Sequence, residues 1–376
     1  MIPGFFIYIY VLLGLTVLLF DILTQFKKQY LDAFNAVYVA LVLLAAFSYG
    51  VGNDTLKYQL AFQYTPTIDK LGWNYLADRR SQPLYILLCS VCKTIYNDYV
   101  VMQMLQYSLF YHSMYLLLRK LNLRKFWVLF LFFGYCYVNE LTVRRECFGL
   151  TFCFYAMLFY LKNKWSYYYL FIFWGFFFHS GVFVYAILPL FKLLGKLSFN
   201  KVILIMIGMS LIPYLFQHIH LFSMIVNEDD SIIRYHLNED AALKVTNIIY
   251  VVIELAIIYF YVIIGNKKNN KDYEHVFIYI ALFSVILEIF TSILPILYRF
   301  RPYFSIFLYF ALQKCFEKVS KQRVKLFCIL LFFSLWPIHS FWGMMKDFPA
   351  FYNYCSVFSS DEAKSEMDIY GYEFIR

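Results

Sequence analysis

WSYYYLFIFWGFFFHSGVFVYAILPLFKLL, residues 165–194, is an almost unbroken run of aromatic and aliphatic side chains, with a polar interruption near its middle at His179-Ser180-Gly181. The run is long enough to cross a bilayer, which takes about 20 apolar residues in a helix. An imidazole is then carried at membrane depth, where it loses hydration and needs a partner or a water-filled cavity. Ionisable side chains in such places mark functional sites. The flanking halves, 166–178 and 181–191, are each too short to cross alone. They predict either one long helix broken at Ser180-Gly181 or two half-helices meeting in the bilayer, a geometry tolerated only where irregular backbone lines protein or water.

The rest of the chain shares this character. Of its 376 residues 62% are hydrophobic and only 15% charged, whereas soluble domains keep about a quarter of their residues charged. The composition predicts an all-α, polytopic integral membrane protein of about 11–13 helices. Helices are expected near 2–20, 33–50, 82–97, 99–118, 126–142, 147–161, 166–178, 181–191, 201–217, 245–265, 275–298, 302–316 and 325–342. The segment 2–20 lacks a basic n-region and a small-residue cleavage site, so it reads as a true span and not a signal peptide. Residues 1–342 form one transmembrane helical domain in this scheme, with outward loops at 51–81 and 218–244 and an outward-facing tail at 343–376. The eight cysteines are scattered, and Cys89 and Cys92 lie in an apolar segment without nearby histidines, which predicts small buried hydrophobes and neither a disulfide nor a zinc framework.

A net charge of +9 would point to nucleic acid in a soluble chain. Here the basic residues gather beside the spans, at Lys27-Lys28, Arg119-Lys120, Arg124-Lys125, Lys162/Lys164, Lys192 and Lys267-Lys268. That is the positive-inside pattern, and it turns these loops toward the cytoplasm. Neither a glycine-rich phosphate loop nor an RNA-binding motif occurs, which removes nucleotides and nucleic acid as partners. The parity of the chain fails if both 82–97 and 99–118 span, so 82–97, short and carrying Lys93, is expected to be re-entrant or tilted.

With the basic loops inside, the connections at 139–146, around 179–181, at 218–244 and at 299–301 face outward, and so does the chemistry. Glu140, Arg144, Arg145 and Glu146 fall at the join between two apolar helices, and Arg299, Arg301 and Tyr303 crowd a second outward turn. Guanidinium groups at such depths cost a few kcal/mol even on lenient insertion scales. The competing accounts are a structural ion pair with Glu140 or Glu146 and snorkelling anchors at a helix end. The loop 51–81 interleaves Asp54, Tyr58, Tyr64, Trp73 and Tyr75 with further polar residues, a composition that suits a sugar and equally an aromatic belt at the interface. The acidic and histidine-bearing stretch 218–244 matches no defined metal-ligand spacing and reads as a lid.

Gly52-x-Asp54-x-x-x-Tyr58-x-x-x-Phe62, Arg145-Glu-Cys-Phe-Gly149, Phe178-His179-Ser180-Gly181 and Arg299-x-x-x-Tyr303-Phe304 follow one another in this order. Together they resemble the EpsG family of polysaccharide polymerases, which includes many Wzy-type O-antigen and capsule polymerases, over about residues 45–355. The sequence departs from the family where an arginine commonly precedes the Gly-x-Asp element, having Ser48 and Tyr49, and at Gln82, where a glutamate is usual. The resemblance implies a fold similar to the lipid-sugar-dependent membrane glycosyltransferases (GT-C-like). It also implies glycosyl transfer at the outer face of the bacterial cytoplasmic membrane, joining oligosaccharide repeat units carried on undecaprenyl diphosphate. A flippase and a chain-length regulator are the partners it implies.

The residues fit such a reaction without a cofactor or a metal. A departing lipid diphosphate needs its developing charge neutralised, which paired guanidinium forks can do. Arg145 with Arg144, and Arg299 or Arg301, are the candidates. His179, Asp54 or Glu140 can accept the proton of the attacking hydroxyl, and His179 can instead stay protonated beside the diphosphate. Asp54, Tyr58, Glu140, Arg144, Arg301 and Tyr303 are expected to bind substrate, and Arg145, His179 and Arg299 to act in catalysis. A lipid-linked oligosaccharide flippase, a membrane O-acyltransferase and a purely structural membrane protein are the alternative classes.

Overall fold

A computed structural model describes residues 31–49, 55–78, 82–121, 144–194, 272–290 and 355–359, together with scattered positions between 201 and 208, between 252 and 258, between 300 and 311 and between 361 and 365. The expected helices at 2–20, 126–142 and 325–342 lie outside these residues. Those at 201–217, 245–265 and 302–316 are covered only at scattered positions. What is described is helical apart from one pair of two-residue strands. Among the described residues no helix is long and apolar enough to cross a membrane. The chain divides into two compact units, one of Met1–Phe183 with Leu330–Arg376 and one of Val184–Ile329.

The first unit opens with α1 (Leu31–Ala46), which runs into β1 (Ser48–Tyr49). The sequence predicts a loop over 51–81, but the structure contains two short helices there, α2 (Thr55–Tyr64) and α3 (Trp73–Asp78). α2 buries Thr55, Leu56 and Phe62 while leaving Lys57 and Gln63 exposed. A ten-residue helix of that mixed polarity carries no span-length apolar signal, which is why hydropathy passes over it.

α4 (Pro83–Ile95) begins with proline at its first position, where the missing N–H costs nothing. Its buried face carries Tyr85, Ile86, Cys89, Ser90 and Cys92, and both cysteines are free thiols packed in the core. Lys93, which suggested a tilted or re-entrant segment, has a local task. Its Nζ donates to the carbonyls of Phe62, at 3.3 Å, and of Gln63, and lies 5.9 Å from the Phe62 ring centroid. A cation on the last carbonyls of α2 is favoured by the helix dipole. Ser90 Oγ donates to Pro66 O at 2.7 Å, and Thr94 Oγ1 accepts from Ile68 N at 2.9 Å, so the polar side of α4 grips the connection that follows α2.

α5 (Tyr99–Leu121) is started by Asp98, whose Oδ1 accepts from Val100 N at 2.9 Å. Buried Gln103 donates its amide to Ala46 O at 3.2 Å and Ser48 O at 2.9 Å, tying the end of α1 to α5. Ala45 and Ala46 are fully covered there, and their small side chains leave room for the approach.

α6 (Arg144–Tyr160) and α7 (Trp165–Phe176) form a tight helical hairpin. Lys164 N donates to Phe159 O and Asn163 N to Tyr160 O, each at 3.0 Å, with Asn163 at φ 54°. This is a Schellman closure, and asparagine is among the few non-glycine residues that tolerate the left-handed backbone. Below the turn, Phe159 stacks on both Tyr167 and Phe171 at 5.2 Å. The helices approach tightly at Gly175, where an added Cβ would stand 2.7 Å from Phe152 Cβ and 3.0 Å from Val182 Cγ1.

α7 ends where the sequence places its break. Phe178 N and His179 N both donate to Gly175 O, at 3.0 and 2.9 Å. His179 O accepts from Val182 N at 3.1 Å and starts a 3-10 helix over Ser180–Leu190. His179 thus closes one helix with its N–H and opens the next with its carbonyl.

In the second unit, α8 (Phe191–Leu194) packs on α9 (Asp272–Phe290) through Phe191 and Phe283, 5.5 Å apart. Tyr185 stacks on Phe304 at 6.4 Å, and Phe277 meets Phe307 at 5.0 Å. The core of this unit is also aromatic.

Candidate active site

Three of the sequence motifs converge in the first unit through a column of aromatic rings. Arg145, in the first turn of α6, lays its guanidinium over the Tyr58 ring with Cζ 5.7 Å from the centroid. Its Nε stands 3.5 Å from Tyr58 Oη, at the long limit of a hydrogen bond, so the cation–ring contact carries the pair. The contacts described for Arg145 are those with Tyr58, and Glu140 lies outside the described residues.

The column continues beneath. Tyr58 meets Tyr85 edge-on at 5.9 Å, Tyr85 meets Phe148 at 6.2 Å, and Phe148 stacks on Phe178 at 5.1 Å and 25°. Phe178 stacks in turn on Phe152 at 5.2 Å. Tyr85, Phe148 and Phe178 are buried in one cluster with Phe62, Cys89, Cys92, Tyr99 and Met102. The spacing explains the convergence. Tyr58 and Phe62 lie four apart on one face of α2, and Arg145 and Phe148 lie three apart on α6. Because Phe148 pairs with Phe178 across an antiparallel hairpin, Arg145 and His179 share the end of the hairpin opposite the Asn163 turn. Both are half-buried.

The other predicted residues divide as follows. Asp54, Glu140, Arg299 and Arg301 lie outside the described residues, and Arg144 is described only as the first residue of α6. Tyr303 belongs to the second unit and is fully buried, with its carbonyl accepting from Tyr185 Oη at 2.7 Å. Tyr85 was not anticipated. It sits in the segment expected to be re-entrant or tilted, and the cue available was a tyrosine in the first turn after Pro83, a polar-tipped ring entering an apolar face.

These features define a helical protein with a ring-backed arginine and a helix-junction histidine at one end of a hairpin. A family model described as the EpsG family matches residues 31–356, and the chain belongs to that family. EpsG-type proteins are Wzy-like polymerases, which makes this chain a polysaccharide-polymerase-like protein. No curated protein and no solved structure matches it.

Proposed function

We propose that the protein polymerises undecaprenyl-diphosphate-linked oligosaccharide repeat units by glycosyl transfer at the outer face of the cytoplasmic membrane. The acceptor hydroxyl oxygen attacks the anomeric carbon of the growing chain. A new glycosidic C–O bond forms as the C–O bond to the diphosphate breaks, and the hydroxyl proton passes to a base or to water. The observation that carries this is Arg145, held on a tyrosine face at the start of α6. Such a guanidinium is oriented in advance, and its fork matches a phosphate oxyanion. His179 is assigned as the second, protonated partner of the diphosphate.

Membrane embedding is supported by the outside of α7, where Tyr167, Tyr169, Leu170, Phe173, Trp174 and Phe176 are all exposed. Water would face a continuous apolar stripe on a twelve-residue helix, whereas acyl chains suit it.

The test is gel analysis of surface glycan. A deletion strain is expected to lose the polymer ladder and keep a product one repeat unit long. Restoring the gene with Arg145→Ala or His179→Ala should leave that phenotype, with the arginine variant lowering polymer by about 100-fold. Wild-type ladders from the deletion strain would refute the polymerase assignment; wild-type ladders from Arg145→Ala alone would remove that residue from the mechanism.

A further inference from the structure

α2 and α4 lie side by side and point the same way: Tyr58 meets Tyr85 near their starts, and Lys93 reaches the carbonyls of Phe62 and Gln63 near their ends. Beyond those ends the chain is knitted together. Ile68 N, in a 3-10 turn over Ile68–Lys70, donates to Thr94 Oγ1 at 2.9 Å, and Tyr75 Oη of α3 donates to Tyr64 O at 3.4 Å. The ends of α2 and α4 and the start of α3 are thereby fixed to one another, and each presents a large ring to the outside. Tyr64 is 73% exposed, Trp73 79% and Tyr96, which caps α4, 63%.

Exposed rings with a polar rim mark an interaction surface. Gln63, Asp69, Lys70, Asn74, Asn97 and Asp98 are the exposed polar residues beside these rings. Lys70 is the one cation in this set, so amides and carboxylates prevail, which does not suit a phosphate or an anionic headgroup. Acyl chains do not suit it either, because lipid leaves charges and the irregular backbone of a turn unsatisfied. The exposed stripe of α7 differs in that respect, since no charged residue occurs in that helix. A glycan matches both halves of the surface. The C–H groups on a sugar face meet the negative face of an aromatic ring, and its hydroxyls pair with amides and carboxylates.

We propose that Tyr64, Trp73 and Tyr96 form a platform on which sugar rings of the glycan stack, with Asp69 and Asn74 as hydrogen-bond partners of its hydroxyls. Tyr64 lies six residues beyond Tyr58, about 9 Å along α2. A glycan held by its diphosphate at Arg145 therefore extends toward the platform. That substrate role rests on the polymerase assignment above; binding of the glycan does not.

The experiment uses the purified full chain in lipid nanodiscs and, as probe, oligosaccharides released by mild acid from the surface polysaccharide of the strain that carries the gene. Trp73→Ala and Tyr64→Ala should each weaken binding about tenfold by calorimetry, while Trp73→Phe, which keeps a ring, should stay within about threefold of wild type. A second measurement leaves the rings in place. In Asn74→Cys, a water-soluble maleimide should modify position 74 above the wild-type background, and the oligosaccharides at about four times their Kd should slow that reaction about fivefold. Wild-type affinity in both alanine variants overturns the platform. So does a position 74 reached only by a lipid-soluble maleimide, which would put the rings in an interfacial aromatic belt. A wild-type chain that binds no oligosaccharide, in a strain whose deletion loses the polymer ladder, sinks the platform and leaves the polymerase assignment standing. Binding together with an intact ladder after deletion does the reverse.

Discussion

The two ends of the α6–α7 hairpin use the same contact for different purposes. At the turn, Lys162 lies over Phe159 and Lys164 over Tyr167, at 5.8 and 5.9 Å, both on exposed residues of a closing loop. At the far end Arg145 lies over Tyr58 at 5.7 Å, but there the ring belongs to another helix and stands on a buried column drawn from α4, α6 and Phe178, just past the end of α7. The seventeen residues of α6 set these ends about 25 Å apart. A cation–ring distance alone therefore does not separate an anchor from a site. What separates them is what backs the ring: Phe159 and Tyr167 stack on each other at the half-exposed turn, whereas Tyr58 rests on Tyr85, which is buried.

The most severe way to break this difference is to part the hairpin. Gly175→Ala drives a backbone-fixed Cβ to 2.7 Å from Phe152 Cβ, and neither atom can rotate away. We expect a cost of about 1–3 kcal/mol and a displaced Phe178, with polymer falling at least tenfold, as overpacking of a close helix contact requires. Thermal unfolding of the purified protein beside the glycan ladder measures both effects, and an unshifted Tm with full-length polymer would mean that the close approach at Gly175 does not hold the site.

A milder change sharpens the comparison. Tyr58→Ala removes the ring beneath Arg145 and should lower activity about fivefold, whereas Tyr58→Phe keeps the ring and should stay within about twofold of wild type. Equal losses in the two variants would transfer the role from the ring to the hydroxyl.

How much of this was legible in the sequence follows from the range of each contact. The break at His179 was legible, because a polar triplet interrupts a long apolar run and the hydrogen bonds that make the break stay within a few residues of it. The buried state of Cys89 and Cys92 was legible from their apolar surroundings for the same reason. α2 was not, since its apolar residues are too few for a span and its last carbonyls are met by Lys93, contributed by a different helix. The pairing of Ser48 with Ser356 was out of reach as well, because it joins opposite ends of the chain and two-residue strands carry no periodicity. Arg145 stood out as a charge in an apolar setting, but its partner could be learned only from the fold. Several placements were consistent with the sequence, and Tyr58 is the one the helices select.

The smallest effect is expected at the turn, where it tests whether anchors and site are separable. Lys162→Ala and Lys164→Ala each remove an exposed cation–ring contact worth about 0.5–1 kcal/mol. The Schellman closure depends on backbone groups and on Asn163, not on the lysine side chains, so the hairpin should keep its geometry. Polymer should therefore stay within about twofold of wild type in either variant, since an effect of that size is too small to move a ring column one helix-length away. The double variant has one further consequence: with both lysines gone the turn loses the charge that favours the cytoplasmic side, and cysteine labelling from outside should begin to reach it in a fraction of molecules. If polymer fell as steeply as in Arg145→Ala while the turn stayed inaccessible from outside, the lysine end would be part of the working site, and the contrast between the two ends would fail.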